Sequence, residues 1–135
     1  MKMIFLGILW LPLSLFSQNT ISVHVKNVDS SKGHIKVALY DSDETFLSFD
    51  RVLKAGSAPA HNGIVILQIT DVPIGEYALA VFHDENGNGE LDTNWLGIPK
   101  EKVAFSKAKM KMFGPPKYKE CAFQVTSDYE INIDL

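Results

Sequence analysis

The sequence predicts an all-β fold, a single antiparallel β-sandwich, and three observations predict it. Apolar and polar residues alternate with a period of two along several short runs. Clusters of Gly, Pro, Asn, Asp and Ser punctuate those runs. No long stretch carries the 3.6-residue apolar period of an amphipathic helix. A partly open barrel is the second architecture that this pattern fits.

The chain begins Met1-Lys2-Met3 and then runs from Ile4 to Phe16 almost without a polar residue. A basic start followed by an apolar run of about 7–15 residues describes a secretory signal peptide. The run is shorter than the roughly 20 residues that span a bilayer. Ser17 is a small residue suited to the cut, so residues 1–17 are expected to be the signal and residues 18–135 the domain. No stable transmembrane segment is expected after cleavage. A secreted or periplasmic location follows.

In the mature part, Ile21, Val23 and Val25 alternate with Ser22, His24 and Lys26, and Ile35, Val37 and Leu39 with Lys36, Ala38 and Tyr40. The turn Asp29-Ser30-Ser31-Lys32-Gly33 between them predicts a hairpin. Asp41 to Asp50 reads as one helical turn or an ordered loop, and Gly56 to Gly63 as a loop. Ile64-Val65-Ile66-Leu67-Gln68-Ile69 is the most apolar run of the mature chain and predicts a central strand. Asp71 to Gly75 is a turn. Glu76 to Phe82 is apolar on both faces, the mark of a strand covered on both sides. Strands are also expected over Tyr118–Val125 and Tyr129–Leu135, with Ile131, Ile133 and Leu135 facing inward.

Composition narrows the function classes. The 135 residues are 46% apolar with a net charge of −3, and losing Lys2 with the signal lowers that by one unit. One domain with an ordinary core fits this length. The acidic balance argues against nucleic-acid binding. Cys121 is the only cysteine, so no intramolecular disulfide forms; its apolar surroundings make it a buried thiol. No G-x-S-x-G, no H-E-x-x-H and no Cys/His zinc cluster is present.

One loop carries chemistry. His83-Asp84-Glu85-Asn86-Gly87-Asn88-Gly89-Glu90-Leu91-Asp92 places Asp84, Asn86 and Asn88 two apart with Gly89 next. This is the first half of the calcium loop D-x-[DN]-x-[DN]-G. Short oxygen-bearing side chains at alternate positions converge on one hard cation. The glycine turns the backbone so that the carbonyl of Glu90 joins them, and Asp92 fits the ninth position. The twelfth position, a glutamate in a full loop, is Trp95, and Glu101 would have to fold back to replace it. The flanks are not two helices, so an EF-hand is excluded. Calcium binding on the order of 10⁻⁴–10⁻³ M is one reading; a polar β-turn built on Asn-Gly pairs is the other.

Around the loop, His83 reads as strand-end packing or as a ligand-orienting group, and Trp95 as an apolar lid or a stacking platform for a sugar. Lys100, Lys102, Lys107, Lys109, Lys111, Lys117 and Lys119 crowd one segment. That segment reads as a lysine-guarded edge strand over Lys107–Phe113 or as an anionic-surface contact.

The combination of Pro73-x-Gly75-x-Tyr77, His83-Asp84-x-Asn86-x-Asn88-Gly89-x-x-Asp92, Gly97-x-Pro99-x-Glu101, Phe105-Ser106 and Gly114-Pro115-Pro116 resembles an exported bacterial family, domain of unknown function family 2141. The resemblance covers nearly the whole mature chain and implies an exported, immunoglobulin-like or transthyretin-like sandwich without an assigned ligand. Pro-x-Gly-x-Tyr alone is also similar to transthyretin-like and carboxypeptidase regulatory domains, which are non-catalytic. Relatives carry glycine before the Phe and asparagine after the Ser; here Ala104 and Lys107 stand there.

The function expected from the sequence is therefore an exported, non-catalytic binding or structural module. Its site is a weak calcium loop of Asp84, Asn86, Asn88, Glu90 and Asp92, with His83, Trp95 and Glu101 as a ligand surface for envelope polysaccharide or protein. An envelope hydrolase working through His83, Asp84 and Glu101 is the enzymatic alternative. Adhesion to anionic surfaces through residues 100–119 is the third.

Overall fold

The computed structural model describes residues 18–135; the export signal read at 1–17 lies outside the described residues. Eight strands follow in order: β1 (Asn19–Val28), β2 (His34–Tyr40), β3 (Lys54–Pro59), β4 (Gly63–Val72), β5 (Gly75–Asp84), β6 (Val103–Phe105), β7 (Phe123–Val125) and β8 (Tyr129–Asp134). A one-turn helix, α1 (Tyr118–Cys121), precedes β7. One sheet has the order β4-β1-β8 and the other β3-β2-β5-β6, with β7 also pairing β5. Pairing is antiparallel apart from β1 with β8, which is parallel. The all-β sandwich expected from the alternation is thus the fold, with one parallel pair in it. Among the described residues no helix is long and apolar enough to cross a membrane.

The period-2 pattern sorts residues as the sequence indicates. Ile21, Val23 and Val25 of β1, Ile35, Val37 and Leu39 of β2, and Tyr77, Leu79 and Val81 of β5 fill the space between the sheets. Strand β5 is covered on its other face too. There Ala78 joins Phe105, Tyr118 and Cys121 in a second apolar cluster, with Phe46 and Ala80 against it. In β8, Ile131 and Ile133 are buried while Asn132 and Asp134 are exposed, and Leu135 packs on the core.

Five local expectations are corrected. The β1–β2 connection is not a hairpin: β1 pairs with β4 and β8, β2 with β3 and β5, so residues 29–33 cross from one sheet to the other. Both strands have one apolar face, and a sandwich lets those faces meet across the core instead of side by side. The first half of the segment Gly56–Gly63 belongs to strand β3, recognisable only once Lys54–Pro59 has β2 as a template. The run Ile64–Ile69 lies at a sheet edge, where Ile64 and Ile66 face outward and are exposed. Tyr118–Cys121 is helical, and Lys107–Phe113 is irregular rather than a lysine-guarded strand.

Two polar devices tie the frame. The Tyr77 hydroxyl donates to the Pro73 carbonyl at 2.7 Å, and Gly75 leaves room for that hydroxyl, which a Cβ there would meet at 3.3 Å. Ser106 is fully buried. Its hydroxyl accepts the Leu79 N–H at 2.9 Å and donates to the Cys121 carbonyl at 2.6 Å, linking β5 to α1. The thiol of Cys121 itself is pushed up to about 11 by burial, which keeps it protonated and unreactive at neutral pH.

Candidate functional site

Strand β5 ends in His83 and Asp84, both with no exposed surface. Because successive side chains point to opposite faces, His83 continues the inner row of Leu79 and Val81, and Asp84 the outer row. The described buried side-chain atoms with no hydrogen-bond partner are Tyr40 Oη, His83 Nδ1 and Asp84 Oδ1. Two of these three belong to this strand end. An unpartnered buried carboxylate oxygen is costly unless something satisfies it.

Beyond Asp84 the chain curls into a loop held by its own side chains. Asp84 Oδ2 accepts the Gly89 N–H at 2.8 Å, and Gly89 has φ +80°, a conformation that glycine adopts without strain. Asn86 Oδ1 accepts the Asn88 N–H and Asn88 Oδ1 the Glu90 N–H, so the oxygens of both amides turn toward the loop backbone. Their NH₂ groups both donate to the Asp92 carboxylate, that of Asn88 at 2.9 Å. Glu101 does fold back: its two oxygens accept the N–H groups of Glu85 and Asp92, each at 2.9 Å. It closes the loop at the place where the twelfth-position glutamate is missing. Glu85, Asn86, Asp92, Thr93, Lys100 and Glu101 line a small open hollow.

The structure therefore gathers Asn86, Asn88 and Glu101 around Asp92 by direct hydrogen bonds, with Asp84 tied in through the Gly89 N–H and Glu90 through its own N–H to Asn88. It separates two others from them. His83 faces the sandwich interior and is bonded through Nε2 to the Lys32 carbonyl at 2.7 Å. Trp95 is 91% exposed, so it is no lid over the loop. It projects from the turn Asn94–Gly97, which is closed by Gly97 N–H to the Asn94 carbonyl and by the Asn94 side chain, which accepts from Leu96 and Ile98. Of the lysine segment, Lys102 pairs with Asp29 and Lys111 with Glu120.

Other residues here escaped the sequence reading. Gly33, with φ +67°, lies so close to β5 that a Cβ would come within 1.9 Å of the Asp84 carbonyl oxygen. Asp29 and Lys32 reach His83 from the crossover. The His83–Lys32 bond joins residues 51 positions apart, and only the sheet-to-sheet crossover brings them together.

The fold and this loop define a class: a small β-sandwich that displays an oxygen-rich loop at the end of its central strand. Residues 23–133 match the family described as uncharacterized protein conserved in bacteria (DUF2141), and the chain belongs to that family. No curated protein and no solved structure was found to match it.

Proposed function

We propose that this protein is an exported, non-catalytic binding module whose Asp84–Asp92 loop holds a calcium ion. The observation that carries the reading is Asp84 Oδ1, an unpartnered carboxylate oxygen on a fully buried residue. Its other oxygen is tied to Gly89 inside the loop. A divalent ion on Asp84 and Asp92, joined by the Glu90 carbonyl and by the amide oxygens of Asn86 and Asn88 once those amides turn over and their NH₂ groups leave Asp92, would satisfy that oxygen with hard ligands suited to calcium. Glu101, with both oxygens on backbone N–H groups, preorganises the loop ends. Affinity on the order of 10⁻⁴–10⁻³ M suits an extracellular module, in line with the basic-then-apolar start of the chain. The sealed imidazole of His83 and the occupied Glu101 carboxylate favour binding over hydrolysis. Envelope polysaccharide or protein is the partner class that the exposed Trp95 rim suits.

Calorimetric titration with calcium tests this. The wild-type protein should bind one ion in that range, and Asp92→Asn should weaken binding at least tenfold. No heat at millimolar calcium, or equal binding by the variant, overturns the reading.

A further inference from the structure

We propose that His83, Glu85 and Asp29 form a second metal site, for an imidazole-seeking divalent ion such as zinc, on the opposite face of the β5 end from the calcium loop. One ligand atom from each of the three residues lies within 4.8 Å of the others. His83 supplies the independent sign of a ligand. Its ring is buried, Nδ1 has no hydrogen-bond partner, and that atom is 3.8 Å from Glu85 Oε1.

The tautomer is set by chemistry already present. A carbonyl only accepts, so His83 Nε2, at 2.7 Å from the Lys32 oxygen, carries its proton. In the neutral ring this leaves a bare lone pair on Nδ1. A ring N–H donated to a backbone carbonyl is the usual way in which a metal-binding histidine is oriented and made more basic.

One imidazole and two carboxylates suit zinc better than calcium, and three protein ligands leave a fourth position for water. Ligand atoms about 2.0–2.2 Å from a tetrahedral ion sit about 3.4 Å apart. From 3.8 Å the Glu85 oxygen must therefore close in by about 0.4 Å, and no pair of ligand atoms by more than about 1.4 Å. Both carboxylates are half exposed, at 49% for Glu85 and 53% for Asp29, so neither is locked in place by packing. Lys102, paired with Asp29, occupies one of its oxygens and competes for its charge, which limits the affinity. Strand alternation gives the two sites no common ligand, although the Glu85 N–H is held by Glu101 of the loop.

Zinc chloride is the probe, with the imidazole nitrogens read by long-range ¹H–¹⁵N spectra. The metal-free protein should show His83 as the Nε2-protonated tautomer, and zinc should move its Nδ1 resonance while those of His24, His34 and His61 stay in place. Asp29→Asn and Glu85→Gln, both outside the core, should each weaken zinc binding at least tenfold. Asp92→Asn should leave zinc binding intact, which separates this site from the calcium loop. A stationary His83 Nδ1 at millimolar zinc, or unchanged zinc affinity in both carboxylate variants, overturns the proposal; movement of the other histidines alone assigns zinc to the surface and overturns it too.

Discussion

In β1, β2 and β5, the side chains that fix the structure are aliphatic and sealed: Ile21, Val23, Ile35, Leu39 and Leu79 have no exposure at all. Between Glu85 and Lys117, outside β6, several large apolar residues do the reverse. Trp95, Leu96, Ile98, Met112 and Phe113 face solvent, the last at 98%. What orders the loop end of that segment is Asn86, Asn88, Asp92, Asn94 and Glu101, each bonded to loop backbone or to one another. The difference teaches where stability and function reside. The strands are stabilised by apolar burial, which offers a cation no ligand. The loop is stabilised by oxygen-centred contacts that a cation can join or displace.

Substitutions can break or sharpen that contrast. The largest effect belongs to the frame. Leu79→Ala removes a fully buried side chain between the sheets and should cost about 3 kcal/mol in chemical denaturation, without altering calcium affinity in the folded fraction; a loss below about 1 kcal/mol would mean that the inner row is not the source of stability. Ser106→Ala comes next. It leaves the Leu79 N–H and the Cys121 carbonyl without their partner and should cost about 2 kcal/mol, measured in the same way. A neutral result would show that this buried bridge is dispensable.

The smallest expected effect lies at Lys107, which adopts φ +57°. Asparagine tolerates this left-handed conformation better than lysine. Lys107→Asn should therefore stabilise the protein by about 0.5 kcal/mol, read as a small rise in the denaturation midpoint. A fall in the midpoint would show that the Lys107 side chain contributes something its exposed position hides.

Much of the frame was legible in the residues. Alternation in β1, β2, β5 and β8 identified the inner faces, and double-sided apolarity marked β5 as central. Alternation is silent about partners, however. Two consecutive one-faced strands look alike whether they pair in one sheet or oppose each other across a core, and this is why the β1–β2 crossover read as a hairpin. The exposed Ile64 and Ile66 made β4 look central, because hydrophobicity alone does not distinguish an edge strand from an inner one. The short strand β3, with Gly56 and Pro59, has too little propensity to declare itself before β2 templates it.

The loop was legible through its spacing, since Asp84, Asn86, Asn88 and Gly89 are local in the chain. Glu101 was named as a residue that would need to fold back, and it does so by capping two backbone N–H groups. Asp29 and Lys32 could not be found, because their approach to His83 depends on the crossover. Trp95 could not be oriented, because an aromatic beside a polar turn fits a lid and an exposed platform equally well.

The measurement that bears most directly on the central claim is a thermal melt of the wild-type protein and of Asp92→Asn, in about 10 mM calcium and in chelator. A dissociation constant on the order of 10⁻⁴–10⁻³ M implies roughly 1.4–2.7 kcal/mol of added stability at that concentration, which raises the midpoint of a domain this size by several degrees. The account predicts that rise in the wild-type protein and its loss in Asp92→Asn. Identical midpoints of the wild-type protein in calcium and in chelator would contradict it and leave the Asp84–Asp92 loop a polar turn.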